Sequence, residues 1–408
     1  MKTKSLWLTA LLLLTLALPT VAQEEFVFGM VLVGPKNDRG WSQAHYEGGL
    51  YVEENVPNAK MVLFESLNPA DAPQATLESV VSDMVAQGAT VIFTTSDSFE
   101  QDTDAVAEKF PNVVFVNISG SNALAERQAD VYSSLEGLAA GEVAPPNVSN
   151  IMAEMEWGKL TAGCLAALHS KTGKIGYLGP LINPETRRFA ASAYLGARYC
   201  YDKFTDNDPA TLEFNVTWIG FWFNIPGITL DPTIEANTFF DNGVDVVISG
   251  IDTTEAIVVS EQRRANGDDV YSIAYDNING CEEAPTACLG VPYYNWGPAY
   301  ADFLLAVKDG DTAQKWLWLA PNWDSDGILG FNLSFDVIGD AQLNGISQFV
   351  DEMISFQQNP DNADRFFLWE GPLSLQDGTV LAEVGEFVSP LEVWYLPQLL
   401  DGMNGKSN

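Results

Sequence analysis

Short apolar runs rich in Val, Ile and Phe alternate with longer stretches of helical spacing from residue 26 onward. The first run, 26–33 (FVFGMVLV), has the length and β-branched content of a buried strand. Gly34-Pro35 breaks it, and Asn37-Asp38 supplies turn and N-cap chemistry. From Trp41 the apolar positions Trp41, Ala44, Tyr46, Leu50 and Val52 follow a loose helical repeat. The unit then recurs. Strands are predicted at 60–65, 90–95 and 112–118, with helices at 75–87 and 99–110 between them. Such alternation with short links is the pattern of a parallel sheet covered on both faces. Residues 119–147, rich in Ser, Ala, Gly and Pro, lose the pattern and read as a long surface excursion. After a helix at about 153–170 the alternation restarts, with strands at 174–178, 214–222, 245–249 and 270–275 and helices at 185–201, 232–242 and 253–265. The tail beyond 287 mixes a helix (296–308), strands and a further helix (342–357), and is expected to return and complete both lobes. The fold class is α/β, with two lobes of similar build. In such sheets ligands sit outside the carboxyl ends of the strands.

Size and charge narrow the function. A chain of 408 residues exceeds one core, which stops growing near ~250–300 residues. A formal charge of −35 leaves no basic stripe to neutralise phosphates, which excludes nucleic acid as partner and disfavours docking on an anionic membrane surface. Residues 1–22 carry Lys2 and Lys4, an apolar core and Thr20-Val21-Ala22, the layout of a secretory signal peptide cut after Ala22. The alternative, a membrane anchor, needs ~20 apolar residues. With no cysteine near the cut, a lipid-modified terminus is not expected, and the mature chain is expected to be exported and monomeric. The four cysteines permit two disulfides: Cys281–Cys288 across a short acidic loop, and Cys164–Cys200 between two predicted helices unless those two stay reduced and buried. With this spacing and two histidines in the chain, no metal and no cofactor are expected.

Trp41, Phe99, Trp222, Asp252, Asp276 and Trp296 all fall just after predicted strands, where a cleft would lie. Flat apolar faces beside carboxylates suit a small, planar, hydrogen-bonding ligand held between two lobes. Each of these residues has a plainer reading as core, rim or turn cap. Arg187-Arg188 either contacts a ligand, braces a facing carboxylate or is an ordinary helix-surface pair. Enzyme readings fail on missing parts: no GxSxG, HExxH, P-loop or strand-following GxGxxG occurs, and no motif surrounds His45 or His169.

Several segments resemble the basic membrane protein family of ABC-transporter substrate-binding proteins. The stretch TAGCLAALHSKTGKIGYLGPLINPETRRFAASAYLGARY is similar to the family's E-G-x-L-A-G, K-x-G-K-I-G-Y, I-P-E-x-x-R and A-F-x-x-G-A-R elements. Glu156, Leu160, Gly163, Lys174, Pro184, Glu185, Arg188, Gly196 and Arg198 are among the matches. Asn295, Trp296, Gly297, Pro298 and Tyr300 resemble its N-W-G-P-x-Y segment, and Gly371, Pro372, Gln376 and Gly378 a late turn. The likeness is collinear from about 26 to 405.

The resemblance implies a type I periplasmic-binding fold of two Rossmann-like lobes joined by crossing segments. On this plan residues 23–152 with about 285–325 form the N-terminal lobe, and 153–284 with about 326–400 the C-terminal lobe. It further implies a purine nucleoside or purine base bound between the lobes and delivered to a membrane permease. Trp41 and Phe99 would be aromatic walls, and Asn37 and Asp38 would belong to the first binding loop. Trp222, Asp252 and Asp276 would be cleft positions of the second lobe, with Arg188 and Trp296 further candidates. The chain departs from the family by having Asn37-Asp38-Arg39-Gly40-Trp41-Ser42 for D-D-K-S-F-N and by inserting FNIPGITL before Asp231-Pro232. The rival readings are a binder of a sugar or other polar solute, a ligand-sensing receptor domain and an exported hydrolase.

Overall fold

The computed structural model describes residues 25–124 and 144–408. The leader and most of the expected excursion at 119–147 lie outside the described residues.

The first lobe is built from β1 (Phe26–Val31), α1 (Trp41–Asn55), β2 (Ala59–Phe64), α2 (Leu77–Ala86), β3 (Val91–Thr94), α3 (Glu100–Ala107), β4 (Val114–Ile118) and β5 (Val148–Ala153). The second begins with α4 (Glu156–His169), β6 (Lys174–Gly179), α5 (Pro184–Phe204), β7 (Glu213–Trp218), α6 (Pro232–Asp241), β8 (Val246–Ser249), α7 (Glu255–Ala265) and β9 (Tyr271–Ile273). The chain then crosses through β10 (Gly290–Tyr294) into α8 (Trp296–Lys308) and β11 (Trp316–Leu319), and returns through β12 (Leu329–Leu333) to α9 (Asp340–Gln357). A short hairpin, β13 (Leu373–Ser374) with β14 (Val380–Ala382), the turn of helix α10 (Pro390–Trp394) and β15 (Met403–Asn404) complete it.

Two parallel sheets result, ordered β11-β5-β4-β3-β1-β2 and β15-β7-β6-β8-β9. The tail does return to both: β11 pairs with β5, and β15 pairs with β7. The antiparallel pair β10–β12 carries two of the three crossings between lobes, and residues 153–156 carry the third. Strands β1, β3, β4 and β5 are buried on both faces, which is why they read as continuous apolar runs.

Two expectations are corrected. β5 was not predicted, because NVSNIMA mixes polar residues into the run; Asn150 and Ser149 are buried and use their side chains to bond Ala123 N–H and Lys315 N–H. The strand predicted at 214–222 ends at Trp218, so Trp222 stands on the loop beyond it.

In the second lobe α4 and α5 lie almost against one another. A Cβ at Gly163 would overlap the Ala193 carbonyl, and one at Gly196 the Leu160 carbonyl. Cys164–Cys200 bridges the same two helices (Cα–Cα 5.1 Å), and Cys281–Cys288 closes the acidic loop (Cα–Cα 5.4 Å). Both expected pairings are thus formed. Among the described residues no helix is long and apolar enough to cross a membrane.

Candidate ligand-binding site

In both sheets the order reverses beside the first strand, between β1 and β3 and between β6 and β8, and ligands bind at the carboxyl ends of strands at such a point. Those ends face one another here. The first lobe sends Trp41 after β1, Ser96 and Asp97 after β3 and Ser119 after β4 into an enclosed void. The second sends Glu185 from the first turn of α5, Trp222 after β7, Asp252 after β8 and Tyr275 after β9. The volume there that is open to the centre of a water molecule is about 10 Å³. That holds roughly one water, so the lobes stand closed.

Contacts across the cleft fix this closure. Asn183 Nδ2 donates to Asp97 Oδ2 at 3.0 Å, and Asn277 Nδ2 to Glu47 Oε2 at 3.0 Å. At the mouth Arg39 pairs with Glu282 and, at 3.2 Å, with Glu283. Gly40 lies so close beneath the Asp252 carbonyl that a Cβ would overlap it. Local sequence sets the α5 corner: Asn183 and Thr186 form a reciprocal capping box with Pro184 at the first helical position, which aims Asn183 and Glu185 at the cleft.

On the first-lobe wall the polar groups have partners. The Trp41 indole N–H donates to the Thr95 carbonyl at 2.7 Å, and its ring meets Tyr294 and Trp296 edge-on at 5.4 and 5.7 Å. Asp38 accepts from the N–H groups of Gly40, Ser42 and Gln43 at 2.9, 3.0 and 2.9 Å, capping α1. Burial pushes its carboxyl up to about 6 against those bonds. Burial, then the charge of Glu100, pushes Asp97 up to about 6 as well.

The second-lobe wall is less satisfied. Asp276 is fully buried, sits at φ 71°, and neither carboxylate oxygen has a hydrogen-bond partner. The buried Trp222 indole N–H is turned toward Asp97 but closes no bond of normal geometry. Desolvation, then neighbouring carboxylates, hold Asp252 well above the usual range; for Asp276 desolvation raises it first and Lys159 opposes. Lys159, itself buried, donates to the Ser249 carbonyl at 3.0 Å and lies 3.2 Å from the Tyr275 ring centroid. Burial lowers its ammonium to about 7. Burial raises Glu185 to about 8 despite the pull of Arg188.

Of the sequence-predicted residues, Trp41, Trp222 and Asp252 line the void, and Asp276 is buried next to Tyr275. Asp38 shapes the wall by capping. Of the other candidates, Asn37 is exposed, Phe99 is taken into the first lobe's core, and Trp296 stacks on His45 and Tyr294 in the layer beyond Trp41. None of the three lines the void. Arg188 braces: its Nε donates to Glu156 at 2.6 Å, and its guanidinium lies over Trp394 at 4.2 Å, facing a second cavity beside the void. Sequence reasoning missed Asp97, Ser119, Glu185, Tyr275 and Lys159. The polar turn at 96–98 and the strand-to-helix N-P-E held a signal; Lys159 reads as an ordinary helix charge.

A family profile described as "Bmp: ABC transporter substrate-binding protein PnrA-like" matches residues 26–320. A purine-binding protein of Brucella abortus (strain 2308) is 27% identical over 365 residues, 90% of this chain and 89% of that one. A Haloferax volcanii (strain DS2) protein, provisionally named an ABC transporter glucose-binding protein, is 24% identical over 365 residues, 89% of this chain and 79% of that one. The solved ABC transporter solute-binding protein from Aeropyrum pernix K1 shares the fold, with a TM-score of 0.61 at 16% identity over 83% of this chain and 95% of that chain.

Proposed function

This chain belongs to the Bmp family of PnrA-like ABC transporter substrate-binding proteins, and we propose that it closes on a purine base or nucleoside and presents it to a membrane permease. It is a binding protein, not an enzyme. The observation that carries the purine reading is the pairing of two indoles and a phenol ring, Trp41, Trp222 and Tyr275, with carboxylates at one inter-lobe void. A planar base stacks on such faces. Carboxylates accept from base N–H groups and ribose hydroxyls, and the buried, unpartnered oxygens of Asp276 are where such acceptors are most under-supplied.

The mechanism needs no bond-making. A ligand bridging both walls favours the closed arrangement by contacts that the open one lacks, and the closed surface is what the permease reads. Residues 1–22 act as the export leader in this reading, and the mature chain works as a monomer outside the cytoplasm. A sugar is the second reading, favoured by the number of carboxylates around the void, which suit hydroxyl donors as well as base edges. Thermal unfolding of the mature chain against purine bases, nucleosides and monosaccharides tests both. A tight ligand raises the midpoint by mass action. A shift with adenine, guanosine or a relative supports the purine reading; a shift with monosaccharides alone replaces it.

A further inference from the structure

Closure gathers three carboxylates, Asp97, Glu185 and Asp252, on one small void, with half-buried Asp38 and fully buried Asp276 next to it. Asp38 and Asp97 come from the first lobe; Glu185, Asp252 and Asp276 come from the second. Their charges act across the cleft: Asp38 and Asp97 on Asp252, Asp97 on Glu185, and Asp38 on Asp276. Among the described residues no three metal-capable side chains stand close enough to hold an ion. Two buried groups at the cluster close no hydrogen bond of normal geometry: the Asp276 carboxylate, approached by Tyr275 and the Lys159 charge, and the Trp222 indole N–H, turned toward Asp97.

Other elements packed here add charge or titratable groups. Lys159 reaches up from α4 beneath Tyr275. Arg188 on α5 is committed to Glu156 and stands 3.9 Å from Glu185. Glu100 acts on Asp97, and Arg39 is held at the mouth by Glu282 and Glu283. The phenols of Tyr177, Tyr275 and Tyr294 are raised by burial and stay neutral. Positive charge inside the cleft therefore falls short of negative.

We propose that protons and ligand compete for this cluster: the empty lobes close by taking up protons, and a ligand closes them by offering N–H and O–H donors to the same oxygens. The proposal rests on reading this cleft as the ligand site, but its test needs no ligand. With the lobes apart, the carboxylates facing the cleft return to water and toward their ordinary range. Brought together in a dry void they repel, and each oxygen needs either a proton or a donor. Carboxylates raised in the closed form bind more protons there than in the open form, so closure strengthens as pH falls, first through about 8 for Glu185 and then about 6 for Asp38 and Asp97. Lys159 is held by groups of its own lobe, the Ser249 carbonyl and the Tyr275 ring, so the carboxylates that face the other lobe set the balance and closing takes up protons. At low pH the protonated oxygens accept fewer donors, and ligand affinity falls.

Small-angle scattering of the ligand-free mature protein, from about pH 8.5 down to about pH 5.5, reads the open fraction directly; each net proton taken up raises the closed-to-open ratio about tenfold per pH unit. The double variant Asp252→Asn/Asp276→Asn carries neutral isosteres and is expected to close more readily and to respond to pH less steeply than the wild type, because Glu185, Asp38 and Asp97 still titrate; Glu185→Gln, which removes the step near 8, is the single-site version should the double variant not fold. Gly40→Ala, whose methyl would overlap the Asp252 carbonyl, supplies the open reference. A wild-type profile that does not change with pH, or a neutral variant that titrates like the wild type, overturns the proposal. Failure of every purine to bind would remove the purine reading and leave the scattering result standing.

Discussion

The two walls of the cleft use the same residue types to different ends. On the first lobe an indole and a carboxylate are consumed by the lobe itself: Trp41 donates to Thr95, and Asp38 ties down three N–H groups at the start of α1. On the second lobe the corresponding groups, Trp222 and Asp276, are buried without hydrogen-bond partners. A buried polar group left unpaired costs ~1–3 kcal/mol, and such groups persist where something else is to satisfy them. The first wall therefore supplies shape, and the second supplies demand for hydrogen bonds.

Substitutions can break this contrast. Trp41→Ala removes a core side chain and is expected to cost about 3–5 kcal/mol of stability in a urea titration, losing binding as a consequence. Trp222→Ala is expected to weaken ligand binding by about 100-fold in calorimetry while shifting the unfolding midpoint far less. Equal stability losses at the two tryptophans would erase the distinction. Asp38→Ala should cost about 2 kcal/mol through the lost cap, with affinity nearly kept among molecules that remain folded.

A pH series sharpens the picture further. Glu185 is held up to about 8 in the native state, so the native state binds more protons than the unfolded chain below that value. Stability is accordingly expected to fall as pH rises through about 8, and the unfolding midpoint measured at pH about 6.5 should exceed that at about 8.5. Lys159, lowered to about 7, offsets the Glu185 contribution over this range, and the net decline comes from Asp252 and Asp276, which burial also holds well above the usual range. Lys159→Met removes an opposing contribution as large as that of Glu185 and is expected to make the decline with pH distinctly steeper, read from the same midpoints.

The fold was legible because its strands are buried on both faces and its helices carry ordinary stop signals, such as Gly88 and Gly243 at positive φ after α2 and α6. β5 escaped because its polar residues are satisfied by other segments, a tertiary fact that no local pattern records. At the site, large residues after strands were easy to find, and Trp41, Trp222 and Asp252 were among them. Phe99 looks the same in sequence and differs in where a single turn directs it, toward the core and not the void. Lys159 was invisible for a different reason. Its meaning depends on Tyr275 and Ser249, roughly a hundred positions away, closing over a helix that reads as amphipathic.

Gly40 and Asp252 bring the two lobes into contact at the cleft. The backbones of the two lobes meet there with no room for a methyl group, so this position acts as the thickness gauge of the closed jaw. Side chains of increasing bulk would serve as shims, each holding the aperture a little wider without altering any group that lines the void. A graded series at this one site would convert a two-position clamp into a set of detectors whose thresholds are spaced by steric volume alone.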